Sequence, residues 1–329
     1  MKDILNHLTA YNSLDRTLAK EVLINLAKGA YNNSQVAAFL TVFLMRRVTV
    51  EELAGFRDAM LELCLPLSLD EYQVIDLCGT GGDGKDSFNI STLASFVVAG
   101  AGQKVAKHGN YGVSSICGSS NLMSHFGYEF TNDKDQLIRS LEDAGICFLH
   151  APLFHPAMKH VAPIRKELGV KTFFNMLGPM VNPAQPPNQL VGVFNLELAR
   201  LYAYLYQQSD KNYAILHALD GYDEVSLTGD FKLITNDREE VLGPKNLGLP
   251  QYQPEALSGG NSIEEAAEIF WNVLQGKGTA AQHDVVIANA GLALHCAQPN
   301  RTRDEALDHA RNSLLEGKAL ECFKKLTGI

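Results

Sequence analysis

Through the first 66 residues, apolar positions recur at helical spacing over 18–26, 36–45 and 53–63, with short polar stretches between the runs. That spacing predicts an all-helical N-terminal region. Thr49 with Glu52 makes a capping box for the third helix, and Ser34 is the expected cap of the second. Pro66 closes the region, and from Gln73 the period changes. Short β-branched runs at 74–78, 103–106, 146–149, 190–194 and 213–218 alternate with helical runs at 93–101, 137–144 and 196–206. Alternation of this kind predicts an α/β domain with a central, mostly parallel sheet flanked by helices. Further on, 231–236 reads as an edge hairpin. Ser262 with Glu265 and Thr302 with Glu305 read as capping boxes, and 283–296 as an apolar buried helix in which Asn289 is structural. The expected domains are a small helical one over 1–70 and a larger α/β one over 71–329.

The polar interruptions carry the chemistry. Residues 79–92 read GTGGDGKDSFNIST, between a predicted strand and a predicted helix. Glycines there let backbone amides approach a ligand, and the helix N-terminus adds partial positive charge, so the turn can cradle a phosphate. Glycines can also serve only to reverse the chain. Ser87, Asn89, Ser91 and Thr92 tip the balance, because capping needs only one of them. The loop lacks the Gly-Lys-Ser/Thr ending of the P-loop and the spacing of dinucleotide folds, which ranks nucleoside triphosphates and nicotinamide cofactors low.

A second loop follows the next predicted strand: 107–121 reads KHGNYGVSSICGSSN, with Lys107, His108, Asn110, Ser114, Ser115 and Ser119. Two polar loops at adjacent strand ends are placed to share one ligand. Between 155 and 183 the cations Lys159, Arg165, Lys166 and Lys171 cluster. A charge run is usually a solvated face; Arg165, after Pro163 at a helix start, is the one expected to face a ligand carboxylate through its planar fork. Asp223 and Glu224 adjoin at a strand terminus, an exposed turn or, opposite a phosphate loop, a Mg²⁺ site.

A net charge of −9 argues against a nucleic-acid binder that relies on a broad basic surface. The anion is therefore held by a local site. Six scattered cysteines without a C-x-x-C pair suggest neither a disulfide framework nor a zinc site, but thiols in a reducing compartment. No stretch approaches a membrane span and the N-terminus lacks a signal peptide, so the expected location is cytoplasmic.

Taken together, the helical start, GTGGDGKDSFNIST, the KHGN…SS…GS loop, HPAMKHVAPIRKELGVKTFFNMLGP and the Asp-Glu pair resemble the anthranilate phosphoribosyltransferase family, in its order and spacing over nearly the whole chain. The resemblance implies a helical domain, to which a segment near 165–185 returns, and an α/β domain like that of pyrimidine nucleoside phosphorylases, in a homodimer joined through the helical domain. It implies transfer of phosphoribose from 5-phosphoribosyl 1-diphosphate to the amine of anthranilate. Matching positions imply that Gly79, Gly82, Asp83, Ser87, Asn89, Ile90, Ser91 and Thr92 contact the diphosphate substrate, completed by Lys107, His108, Gly109, Asn110, Ser114, Ser115 and Ser119. Ser91, Asp223 and Glu224 match the Mg²⁺ positions, and Gly79, Asn110 and Arg165 those that receive anthranilate. Two positions depart from the pattern. Tyr111 follows KHGN where many relatives have arginine, and Ser119-Ser120-Asn121 stands for a common Ser-Ala-Asp. The alternatives are a pyrimidine nucleoside phosphorylase, which would cleave with inorganic phosphate, and a non-catalytic nucleic-acid-binding relative, which the acidic composition disfavours.

Overall fold

The computed structural model describes residues 1–112 and 115–329. They form two compact units: Met1–Leu67 with Ala151–Pro183, and Ser68–His150 with Ala184–Ile329.

The first unit is built on four helices, α1 (Lys2–Thr9), α2 (Arg16–Ala27), α3 (Asn33–Met45) and α4 (Val50–Leu63). Helices α2 and α4 pack closely at Gly55, where a Cβ would stand 2.8 Å from that of Ala19. The box of Thr49 and Glu52 opens α4 as expected. Glu52 is more than a cap: it is fully buried, also accepts from the Leu14 amide at 2.9 Å and from the Arg46 guanidinium, and so ties the loop before α2 to the end of α3. The cap of α3 is Asn32, boxed with Gln35, in place of the expected Ser34. Asn32 has the extended backbone that lets a side chain reach the third amide of the helix, whereas Ser34 is already inside the first turn.

The returning segment is fastened by backbone and by rings. Leu65 donates to the Phe154 carbonyl at 2.8 Å and Leu67 to that of Pro183 at 3.2 Å. Phe173 stacks on Phe56 of α4 at 4.3 Å and meets Phe39 and Phe43 edge-on.

The second unit is a seven-stranded sheet in the order β3-β2-β1-β4-β5-β6-β7. Strands β1 (Ile75–Gly79), β2 (Val105–Gly109), β3 (Ile146–His150), β4 (Asn188–Gly192) and β5 (Asn212–Ala218) run parallel; β6 (Phe231–Thr235) and β7 (Glu239–Leu242) close the edge as an antiparallel hairpin. Starting from β1 the chain lays strands to one side, then returns to lay β4 and β5 on the other. The strand order therefore reverses between β1 and β4, where such sheets open a ligand crevice at their carboxyl ends. Helix α5 (Ile90–Gly100), with nine of its residues buried, packs on β1 and on the long helix Ala280–Ala297.

Boundaries moved in one place that matters. The expected strand at 103–106 is β2, which continues through Lys107, His108 and Gly109, so these three belong to a buried strand and not to the second loop. A lysine–histidine–glycine run reads as loop because its polar groups find their partners only across the sheet. Among the C-terminal caps, Thr302 and Glu305 form the expected box, but the Glu265 carboxylate turns to the amide of Asn261, one residue before the Ser262 cap.

Candidate active site

Gly79 and Gly192 pair in register at the carboxyl ends of β1 and β4, and the turn carrying Asp223 and Glu224 lies directly on both. A Cβ at 192 would overlap the Asp223 carbonyl group, 2.6 Å from its carbon; one at 79 would strike the Asp223 carboxylate. Glycine is required at both positions for the acidic turn to sit at the crevice. Asn289, from the helix Ala280–Ala297, fixes the far side of the turn: its amide accepts from the Val225 N–H at 3.1 Å and donates to the Val225 carbonyl at 2.9 Å.

The glycine loop is tied to the same turn. Gly81 donates its amide to Asp223 Oδ2 at 2.7 Å, and Ser91, in the first turn of α5, donates its amide to Glu224 Oε1 at 2.9 Å. Ser87 Oγ stands 3.5 Å from Glu224 Oε2, and Thr80 donates to the Gly192 carbonyl at 2.9 Å. Gly81, Gly82 and Gly84 take positive φ, which keeps the loop tight against β1. Asp83 lies close enough to Asp223 to act on its charge. A small crevice is lined by Gly79, Ser91, Gly192, Asp223, Glu224 and Asn289 among others.

Burial and the neighbouring Asp83 push the Asp223 carboxyl up to about 7. Burial and the charges of Asp223 and Asp83 hold Glu224 well above the ordinary carboxylate range, against the pull of the Ser91 amide and Lys107. Two crowded carboxyls thus lack compensating positive charge. Lys107 lies in β2 almost fully buried, its Nζ donating to the Leu77 carbonyl at 2.7 Å; burial lowers its pKa, and Asp76 and Glu224 partly offset that.

The second loop joins the first through Asn89, whose amide donates to the Cys117 carbonyl at 2.9 Å. Asn110 follows β2, and its carbonyl accepts from the Ser120 amide at 3.1 Å and from Ser119 Oγ at 3.4 Å. Asn121 Oδ1 accepts from the amides of Gly112 and Gly118 at 2.9 and 3.1 Å. That is acceptor work an aspartate would also do, so the departure at 121 keeps the clamp. His108 donates its backbone amide to Asp76 Oδ1 at 3.1 Å. Ser115 is exposed, and Ser114 lies outside the described residues.

One fold unit therefore gathers Gly79, Gly82, Asp83, Ser87, Asn89, Ile90, Ser91, Thr92, Lys107, His108, Gly109, Asn110, Ser119, Asp223 and Glu224 around the ends of β1, β2 and β4. Gly192 and Asn289 were the participants that sequence reasoning did not place there. Arg165 belongs to the other unit, in the helix Ala162–Leu168, half-buried over the Phe174 ring at 5.0 Å with its Nη2 3.4 Å from Asn175 Oδ1. Burial lowers its pKa, with no carboxylate among the described residues acting to raise it. Lys159, Lys166 and Lys171 are exposed, as a charge run usually is.

The donor set suits Mg²⁺. Among the described residues no three histidine, cysteine or carboxylate groups form a ready cage. Mg²⁺ needs none: it keeps several waters and binds through one or two carboxylates and substrate phosphates. The uncompensated pair at 223 and 224, with Ser91 lining the same crevice, offers that coordination.

Both halves of one glycosyl transferase family match the chain, its helical bundle domain over residues 2–64 and its a/b domain over 71–320. The chain is 61% identical over 326 residues to the anthranilate phosphoribosyltransferase of Flavobacterium psychrophilum, covering 99% of this chain and 98% of that one. Its structure is similar to the crystal structure of anthranilate phosphoribosyltransferase from Thermus thermophilus (TM-score 0.91, 33% identity, 98% of each chain). It is also similar to the Saccharomyces cerevisiae enzyme in complex with PRPP and Mg (TM-score 0.90, 28% identity, 98% of this chain and 96% of that one). The chain belongs to the anthranilate phosphoribosyltransferase family.

Proposed function

We propose that this protein transfers the phosphoribosyl group of 5-phosphoribosyl 1-diphosphate to the amine of anthranilate, giving N-(5-phosphoribosyl)anthranilate and pyrophosphate in tryptophan biosynthesis. The observation that carries the reading is the adjacent pair of buried Asp223 and half-buried Glu224, hydrogen-bonded to the glycine loop and to the first turn of α5 at the point where the strand order reverses. The likeness to relatives of that activity supports it over phosphorolysis.

In this reading the glycine loop and the N-terminus of α5 receive the diphosphate, and Ser87, Asn89, Thr92 and the Asn110–Ser119 loop supply polar contacts. Asp223, Glu224 and Ser91 would hold Mg²⁺, which would supply positive charge to offset that of the leaving diphosphate. The C1–oxygen bond breaks with its electron pair on pyrophosphate. The amine lone pair then forms the new C1–nitrogen bond and the nitrogen loses a proton. No covalent nucleophile is required; the residues bind, orient and stabilise developing charge. Arg165, desolvated over Phe174, is assigned the anthranilate carboxylate.

The protein is further read as a homodimer joined through its helical unit, which exposes Tyr11, Leu44 and Met45, and as cytoplasmic, in keeping with its six free cysteines. A monomer by sedimentation at micromolar concentration would overturn the first point. Anthranilate fluorescence tests the activity: it should fall on adding phosphoribosyl diphosphate and Mg²⁺, with equimolar pyrophosphate, and stay constant with chelator. Persistence of the signal with folded protein and metal present would refute the reading.

A further inference from the structure

The second loop is held by rings as well as by hydrogen bonds. His150, the last residue of β3, is paired in register with Gly109 of β2 and is buried. Phe130 stacks on one side of its imidazole at 4.3 Å and 18°, and Tyr111 meets it edge-on at 4.9 Å and 80°. The ring nitrogen Nδ1 lies 2.9 Å from Ser120 Oγ, in a hydrogen bond buried with it. Ser120 in turn donates its amide to the Asn110 carbonyl, and the Asn110 side-chain oxygen accepts from the Tyr111 amide at 2.8 Å.

These contacts close a circuit: Asn110 to Ser120, Ser120 to His150, His150 to Tyr111, and Tyr111 back to Asn110. We infer that Tyr111 and His150 are positioning residues that set the conformation of Asn110 through this circuit, an inference that rests on the reading of Asn110 as a substrate contact. Gly109 lets the circuit close, since a Cβ there would lie 2.7 Å from Ser119 Oγ and 2.5 Å from the Phe148 ring. Tyr111 is 46% exposed, so its ring stabilises little of the core. Its effect falls on the loop.

Tyr111→Ala should raise KM for phosphoribosyl diphosphate about 3- to 10-fold, the range of a lost aromatic pair, with kcat within about twofold. Tyr111→Phe keeps the ring edge and should stay within about twofold of the parent in both constants. In an Asn110→Ala background, adding Tyr111→Ala should change KM no further, because a residue that acts through Asn110 has nothing left to position. If Asn110→Ala itself leaves both substrate KM values unchanged, the reading of Asn110 fails and the inference with it. If Asn110→Ala raises KM but Tyr111→Ala multiplies it by its full factor again, or if Tyr111→Phe is as damaging as Tyr111→Ala, the positioning role alone is overturned.

Discussion

Gly192→Ala moves the acidic pair without changing either carboxylate. The added Cβ would stand 2.6 Å from the carbonyl carbon of Asp223, where ordinary contacts lie at 3.4–4 Å. The carbonyl oxygen is nearer still, so the turn must withdraw by well over about 1 Å, and a misplacement of even about 1 Å costs on the order of 100-fold in rate. Withdrawal also lengthens the bonds from the Gly81 and Ser91 amides, which now measure 2.7 and 2.9 Å. Gly79→Ala should disturb the backbone less but cost about as much rate, since its Cβ meets the Asp223 carboxylate itself, and a rotation that relieves the clash takes that carboxylate off the Gly81 amide and out of the metal position. The assay is initial-rate anthranilate fluorescence across a Mg²⁺ titration, and kcat/KM should fall with the Mg²⁺ midpoint rising. Folding can be checked on the same samples, because Trp271 is the only tryptophan and packs against Phe126 and Phe323 in the second unit. A folded Gly192→Ala protein with kcat/KM and Mg²⁺ midpoint within twofold of the parent would refute the claim that this turn holds the metal.

Arg165→Ala should raise KM for anthranilate about 10- to 100-fold, as for a lost charged hydrogen bond, with kcat nearly constant, and aniline, which lacks the carboxylate, should not feel the change. Glu52→Gln should destabilise the first unit by about 3 kcal/mol in urea unfolding, because it leaves the Arg46 guanidinium without its buried counter-charge. His155 supplies a pH dependence: burial depresses it to about 4 although its Nε2 reaches the Val181 carbonyl, so as pH falls the unfolded chain takes up the proton first. Its contribution, roughly 3 kcal/mol, is present above about pH 6.5 and lost down to about pH 4; His155→Gln should flatten that limb of the stability profile.

Features set by near neighbours in sequence were legible in advance: the box of Thr49 and Glu52, the glycine loop before α5, the hairpin of β6 and β7. Features set across the sheet were not. Lys107 sits inside β2 because a carbonyl thirty residues away, that of Leu77, accepts from its ammonium. Gly192 looks like any strand-end glycine until the Asp223 backbone is found lying on it. Asn289 announced a structural role by its apolar surroundings, but its partner, the backbone of Val225, is 64 residues away. Asn32 and Ser34 are equally good caps by type; which one caps depends on where the chain turns into α3.

The electrostatics explain why the acidic turn needs so much support. Burial and repulsion between carboxylates disfavour ionised Asp223 and Glu224, and the folded chain answers with the amides of Gly81 and Ser91 and with Lys107 of β2. These donors hold the carboxylates in place without fully neutralising them. A site that satisfied the pair completely would have no use for a divalent cation, and one that left it unsupported would let the turn drift from the crevice. The first turn of α5 takes part in this support, since the Ser91 amide fixes Glu224. The loop, the helix and the acidic turn are joined by these hydrogen bonds before substrate arrives, and the negative charge they leave unbalanced is what a divalent cation would offset.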